Sequence, residues 1–128
     1  MLYMFLLHWN EENPVVSPEE AIREHFAFTA EARERGAYVL SEAIGSASAA
    51  TTVRVRGGKT MITDGPFAEA KEVMGGFYIL DCKDLDEALE YAARIPDAAS
   101  SGVEVRPVMH VPDWDYGPTA DYVRQAMG

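Results

Sequence analysis

Residues 63–80 read TDGPFAEAKEVMGGFYIL, and this stretch decides the fold that we predict for the chain. Near its start, Asp64, Gly65 and Pro66 combine an acceptor side chain, a residue free to adopt positive φ and a residue whose φ is fixed near about −65°. Such a turn holds the Asp64 carboxylate in place. The apolar second half predicts a buried strand over residues 73–82.

Strand and helix signals alternate on both sides of this stretch. An apolar run at residues 2–7 predicts the first strand. The sequence Ser17-Pro18-Glu19-Glu20 contains a capping serine and a proline suited to the first helical position, so we predict a helix over residues 18–35. A second helix is expected over residues 84–94, with Asp84 as its N-cap.

A hairpin and the order of the elements define the fold class. Residues 51–56 alternate in polarity and are separated by Gly57-Gly58 from residues 59–63, which is typical of a tight hairpin. Further strands at residues 38–40 and 103–109 complete the order strand, helix, strand, inserted hairpin, strand, helix, strand. This order predicts an α+β fold of the ferredoxin-like βαββαβ type, with two helices on one face of an antiparallel sheet.

Helical periodicity also predicts which side chains face the sheet. The inward arc of the first helix comprises Ala21, Ile22, Phe26, Phe28, Thr29 and Ala32. The inner stripe of the second helix comprises Leu85, Ala88, Leu89 and Ala92. Both helices occupy one face of the sheet, so the apolar side chains of the other face lack a cover. We therefore expect a homodimer, in which a second copy of the chain covers that face.

Length and charge limit the classes of partner. The chain of 128 residues has the size of one domain, which we place at residues 1–110, followed by a tail at 111–128 with a short helix around 120–126. The 21 acidic and 11 basic residues give a formal net charge of −10, so nucleic-acid and membrane partners are not expected. The apolar N terminus lacks a basic flank and a cleavage site, so we interpret it as a strand and not as a signal peptide. We therefore expect a cytoplasmic location.

The sequence gives no support for a metal or a cofactor. Cys82 lies in an apolar run and is interpreted as a core residue. His8 and His110 are interpreted as rim residues at strand ends, because the three histidines lack the spacing of metal ligands. Gly75-Gly76 matches no nucleotide-binding loop and is typical of a bulge or of a close backbone approach. We therefore expect no metal and no cofactor.

Two residues are candidates for acid–base chemistry. His25 lies on the inner arc of the first helix, where it is either a core histidine bonded to a carbonyl or a titrating residue in a pocket. Asp64 either bonds the amides of its own turn or lies beside His25 as the carboxylate of an acid–base pair. Lys71 is either a solvated residue or a contact for an anionic ligand. The predicted ligand-binding set is completed by the other turn residues, Gly65, Pro66 and Phe67.

On these residues the chain resembles the YCII-related family, and specifically its DGPF-domain branch, whose name repeats residues 64–67. The resemblance implies a ferredoxin-like fold that assembles as a dimeric α+β barrel. It also implies a histidine–aspartate pair for cofactor-free proton transfer, carried over here to His25 and Asp64. At least one related protein is a dehydrochlorinase of a chlorinated hydroquinone. The matching stretches cover nearly the whole chain and lie at residues 2–7, 51–56, 75–78, 84–88 and 103–108.

Two functions from different classes follow. Because no serine or cysteine lies in a nucleophile motif such as GxSxG, the first is a cofactor-independent lyase or isomerase. In it, His25 takes a proton from a small organic substrate while Asp64 orients the imidazole. The second is a non-catalytic dimer that binds a ligand or a basic regulatory protein. The resemblance links this second function to sigma factors, because genes of this branch often neighbour those of extracytoplasmic-function sigma factors.

Overall fold

A computed structural model describes residues 1–12, 14, 16–109 and 111 of the chain. Within these residues, two α-helices and six strands follow one another in the predicted order, and short 3₁₀ turns lie before β3 and before β6. The predicted tail helix and His110 lie outside the described residues. No helix of the described part is long and apolar enough to cross a bilayer. The elements are β1 (Leu2–Asn10), α1 (Pro18–Glu34), β2 (Tyr38–Ala43), β3 (Thr51–Arg56), β4 (Lys59–Asp64), β5 (Glu72–Asp81), α2 (Leu85–Arg94) and β6 (Gly102–Pro107).

The main sheet has four strands in the order β2-β5-β1-β6, and every neighbouring pair is antiparallel. This is the strand order of a ferredoxin-like fold, and it confirms the predicted α+β class. Strands β3 and β4 form a separate two-stranded sheet, which confirms the inserted hairpin. Gly57 and Gly58 both have positive φ, as the tight turn between these strands requires.

Both helices begin at the residues that the sequence predicts. The Ser17 side chain accepts a hydrogen bond from the backbone N–H of Glu20, and Pro18 occupies the first turn of α1. The Asp84 carboxylate accepts from the backbone N–H of Glu87 at 2.9 Å. These caps satisfy amides that have no partner within the helix, so each helix start is fixed by local sequence.

The core lies between the two helices and one face of the sheet. Alternate residues of β1 and β5 point into it, while α1 supplies Phe28 and Ala32. Cys82 is also buried there, as predicted, and burial raises the pKa of its thiol to about 12. The core side chains of β1, of β5 and of α2 with the residue that follows it include Tyr3, Phe5, Leu7, Tyr78, Leu80, Ala88, Tyr91, Ala92 and Ile95.

The predicted inner faces of the helices are partly wrong. Leu85 and Leu89 are 49% and 48% exposed, because α2 presents Tyr91 to the core with its alanines instead. In α1, Ile22 and Phe26 are 53% and 71% exposed, because the first half of this helix borders a cavity rather than the packed core.

The face of the sheet opposite the helices is apolar at its centre. Register places Leu6 opposite Phe77, and Ile79 opposite Met4 on one side and Leu40 on the other. All five side chains are partly exposed. The described residues of both helices pack on the other face, so these residues form an open apolar surface.

The hairpin also has two distinct faces. Val53, Val55 and Ile62 lie on one face and are each more than half exposed. The opposite face carries three basic side chains, those of Arg54, Arg56 and Lys59.

Gly75 and Gly76 allow the close approaches that the sequence predicts. The pairing of β1 with β5 passes from Leu7–Gly76 to His8–Met74, so Gly75 is the extra residue of a bulge. A Cβ atom on Gly75 would lie 2.8 Å from Nε1 of Trp9. On Gly76 it would lie 2.8 Å from the backbone oxygen of Glu42 on β2.

Replacement of Gly76 by alanine should therefore destabilise the protein. The clash is with backbone of a paired strand, which cannot move aside like a flexible side chain, and overpacking of this kind costs about 1–3 kcal/mol. Urea unfolding measures the loss. Gly45→Ala is the matched control, because its Cβ would meet its nearest neighbour, Ala49 Cβ, at an ordinary 4.0 Å. Equal stabilities of the two variants would contradict the prediction.

Candidate active site

A cavity of about 360 Å³ lies between α1 and the β2–β5 side of the sheet. Aliphatic and aromatic side chains of Trp9, Ile22 and Phe26 line it, and each of these three is more than a third exposed. Its polar lining comes from several different elements and comprises His25, Thr29, Ser41, Glu42, Tyr78 and Asp97.

His25 is hydrogen-bonded through both nitrogens of its ring. Its Nδ1 lies 2.8 Å from the hydroxyl oxygen of Tyr78, and its Nε2 lies 2.8 Å from Oδ1 of Asp97. The side chain of His25 is 25% exposed and that of Asp97 is 16% exposed. The imidazole is therefore neither a fully buried core group bonded to a carbonyl nor a freely solvated one.

Asp97 is positioned by a short 3₁₀ turn, Pro96–Ala99, that follows α2. Ile95, which is almost fully buried, anchors the start of this turn, and its carbonyl accepts from the amide of Ala98. Both the amide and the hydroxyl of Ser100 donate to the Asp97 carbonyl. The backbone on both sides of Asp97 is thus fixed, which holds its carboxylate against His25.

Tyr78 projects from β5 toward α1, where its ring is almost fully buried. It packs edge-on against Phe28 and lies nearly parallel to the His25 imidazole at a centroid distance of 5.9 Å. Its hydroxyl also lies 3.4 Å from Oγ1 of Thr29. Burial raises the pKa of Tyr78, and the negative charge of Asp97 adds to this shift, while the bond with Thr29 opposes it. The phenol is therefore protonated at neutral pH.

The protons of this hydrogen-bonded chain have a defined direction. An ionised carboxylate can only accept, so Asp97 requires a proton on Nε2 of His25. In the neutral imidazole Nδ1 is then an acceptor, and the Tyr78 hydroxyl donates to it. Asp97 thereby determines the tautomer of His25, and His25 determines the orientation of the Tyr78 hydroxyl.

Asp64, which the sequence proposes as the partner of His25, is not part of this chain. It is exposed at the end of β4, where it pairs with Thr51 across the hairpin. The carboxylate that contacts His25 is that of Asp97. Sequence reasoning missed Asp97 because it lies far from His25 along the chain and matches no motif. Pro96 indicated only the end of α2.

The residues around Asp64 form an ordered turn outside the cavity lining. Gly65 has φ of 116°, its amide donates to the Ala50 carbonyl, and its own carbonyl accepts from the Thr52 hydroxyl. Phe67 is 79% exposed, with the Arg54 guanidinium 5.1 Å from the centre of its ring. Pro66 is partly exposed. Hydrogen bonds join the backbone of this turn to Ala50 and Thr52, but the residues of the turn do not line the cavity that contains His25.

Lys71 lies at a different, more open cavity of about 610 Å³. His8 and Glu104 also line it, with 3.4 Å between His8 Nε2 and a Glu104 carboxylate oxygen. The structure thus separates Lys71 from the His25 cavity. Within the described part of the chain, no group of three His, Cys, Asp or Glu side chains is arranged to hold a metal ion.

Comparison with known proteins identifies the family. The family model of the YCII-related domain matches residues 1–114 of the sequence. The chain belongs to the YCII-related family. Its sequence is 48% identical over 63 residues to an uncharacterised protein of Rhizobium meliloti (strain 1021). That match covers 48% of this chain and spans about half (51%) of the length of the relative.

A solved structure is also similar to this YCII-related chain. It is 5-chloro-2-hydroxyhydroquinone dehydrochlorinase from Burkholderia phenoliruptrix AC1100, in complex with 2,5-dihydroxybenzoquinone. The two chains share 15% sequence identity at a TM-score of 0.49, over 90% of this chain and 100% of that one.

The ionisation of Tyr78 tests this site in the YCII-related chain. We expect Tyr78 to ionise above the ordinary pKa of tyrosine, and Asp97→Asn to lower that pKa because one negative charge is removed. The ultraviolet absorbance of phenolate, taken as a difference from the matching Tyr78→Phe protein, isolates this tyrosine. An unchanged pKa of Tyr78 in Asp97→Asn would contradict the expected electrostatic effect of Asp97 on Tyr78.

The same shift predicts the direction of a stability change. The pKa of Tyr78 is higher in the folded state than in the unfolded chain, so its contribution is complete below about pH 10 and declines as pH rises toward the folded pKa. Urea unfolding on both sides of that pH should show a steeper alkaline loss in the wild type than in Tyr78→Phe.

Proposed function

We propose that this YCII-related protein is a cofactor-independent lyase or isomerase that transfers a proton on a small organic substrate. The observation that supports this proposal is the hydrogen-bonded chain of Tyr78, His25 and Asp97 on the wall of a cavity. A histidine held in one tautomer by a carboxylate is suited to general acid–base catalysis.

His25 is the proton acceptor in this proposal. When its ring gains a proton, the positive charge lies 2.8 Å from the Asp97 carboxylate, which stabilises the imidazolium. Asp97 takes the orienting role that the sequence suggested for Asp64. Removal of a proton from carbon beside a carbonyl, including the carbonyl of the keto tautomer of a phenol, leaves an enolate or a phenolate. That enolate then regains a proton at another carbon or expels a leaving group.

The lining of the cavity favours a neutral substrate. Glu42 and Asp97 contribute carboxylates, whereas no lysine or arginine is among the described lining residues. A carboxylate or phosphate on the substrate would face like charges and find no cation, which disfavours its binding. The aromatic side chains of Trp9 and Phe26 suit a flat, apolar ring. We therefore propose a neutral hydroxylated aromatic compound or an enolisable cyclic ketone.

His25→Gln tests the function. The glutamine amide keeps polar atoms near Tyr78 and Asp97 but cannot act as a base. We expect deuterium exchange from D2O into hydroquinone, chlorohydroquinone or 2-indanone, followed by NMR, to fall by about 10²–10⁴-fold. His8→Gln is the matched control, because His8 lines the other cavity. Wild-type exchange in His25→Gln, or no exchange by the wild type on any probe, would contradict catalysis and favour a binding role.

We also propose that the protein is a homodimer. The support for it is the open apolar face of the sheet, centred on Leu6, Phe77 and Ile79. Residues of this kind are stabilised when a second apolar surface removes them from water, and a second copy presents the same surface.

Ile79→Glu should dissociate this dimer. A carboxylate on the open face would have to lose water without a partner, which should raise the dissociation constant by about 100-fold or more. Sedimentation velocity over a range of concentrations measures the change. Leu89→Glu, on the exposed side of α2, is the control and should sediment like the wild type. A monomeric wild type, or an Ile79→Glu dimer of unchanged stability, would contradict the proposal.

A further inference from the structure

The geometry of His25 leaves neither nitrogen of its ring free. Nε2 carries the proton donated to Asp97, and the lone pair of Nδ1 is directed at the Tyr78 hydroxyl, 2.8 Å away. A substrate that approached Nδ1 directly would have to displace a buried hydroxyl from a short hydrogen bond. Tyr78 itself lines the cavity.

We infer that the Tyr78 hydroxyl is the group that exchanges a proton with the substrate, and that His25 acts as a base through it. This inference rests on the proposed function and assigns the residue that touches the reacting atom. It makes Tyr78 the catalytic residue in contact with substrate, and His25 and Asp97 the groups that give its hydroxyl basic character.

The proton movements balance without any other reactant. The substrate C–H bond breaks, its electron pair stays on the substrate as the enolate, and its proton forms a new O–H bond on Tyr78. At the same time the original Tyr78 proton moves to the lone pair of Nδ1. Tyr78 ends neutral, His25 ends as an imidazolium beside Asp97, and the reverse shift returns a proton to the product.

The surroundings of Tyr78 suit a relay better than a free phenolate. The residue is only 3% exposed, and burial raises the pKa of its hydroxyl, so loss of the hydroxyl proton without replacement is disfavoured. In the relay, the oxygen loses one proton as it gains another. Thr29, 3.4 Å away, can donate to the second lone pair of the same oxygen. That contact helps to keep the Tyr78 proton pointed at Nδ1.

Removal of one oxygen atom tests the relay. Tyr78→Phe keeps the buried ring and its contact with Phe28 but leaves His25 without the hydroxyl. We expect deuterium exchange into the three probes named above to fall by about 10²–10⁴-fold, close to the loss in His25→Gln. The control is Tyr3→Phe, because Tyr3 is also buried and belongs to β1, outside the cavity lining, so its exchange should equal that of the wild type.

The outcomes separate this inference from the proposed function. If His25→Gln abolishes exchange while Tyr78→Phe retains the wild-type rate, His25 meets the substrate directly, and the relay is overturned while the proposed function stands. If the wild type exchanges none of the probes, the proposed function fails and the relay fails with it.

A measurement on the protein alone tests the same direction of hydrogen bonding. Nitrogen-15 NMR of the imidazoles, assigned with His25→Gln, should show neutral His25 protonated at Nε2 and unprotonated at Nδ1. Tyr78→Phe should move the Nδ1 resonance toward that of a nitrogen without a donor, whereas Tyr3→Phe should leave it unchanged. A neutral His25 protonated at Nδ1 would overturn the relay, because Nδ1 could then not accept the Tyr78 proton.

Discussion

Strands β1 and β5 pair at the centre of the sheet, and the rest of the structure depends on the register of that pairing. Tyr78 lies opposite Phe5, and both point toward the helices, while Phe77 and Leu6 point to the open face. A slip of one residue would exchange these two sets of side chains. His25 would then face a phenylalanine, and a phenol would lie on the open surface. The bulge at Gly75 lies just before this point, where β5 passes Trp9.

The polar chain at the cavity is part of the packing as well as part of the proposed chemistry. Tyr78, His25 and Asp97 come from β5, α1 and the 3₁₀ turn, so their hydrogen bonds connect three elements that are distant in sequence. An unpaired polar group in such surroundings costs about 1–3 kcal/mol. Among the described residues, no buried side-chain nitrogen or oxygen lacks a partner. Deletion of one member to alanine would disturb stability and reactivity together, whereas near-isosteric replacements separate the two effects.

Features set by short-range sequence were predictable, and those set by long-range packing were not. The cap at Ser17 and the turn at Gly57-Gly58 depend on neighbouring residues, and the structure confirms both. The pair Gly75-Gly76 predicted a bulge or a close approach, but the groups that approach it, in Trp9 and Glu42, are distant in sequence. The orientation of α2 depends on which side chains fit the sheet. The predicted inner stripe of α2 was right for Ala88 and Ala92 and wrong for Leu85 and Leu89, and it missed Tyr91 and Ile95. The position of His25 in α1 predicted that its ring faces inward. Its partner Asp97 is brought to it only by the complete fold.

The hairpin of β3 and β4 affects whether molecules associate through strand edges at high protein concentration. A sheet of two strands has two unpaired edges, and exposed edges of apolar strands are templates for uncontrolled growth by strand addition. Val53, Val55 and Ile62 would favour such growth. Arg54, Arg56 and Lys59 share the opposite face, so two hairpins that met edge to edge in the same orientation would bring like charges together. These three basic residues of the hairpin, in a protein with a net negative charge, thus oppose the association of hairpins through their strand edges.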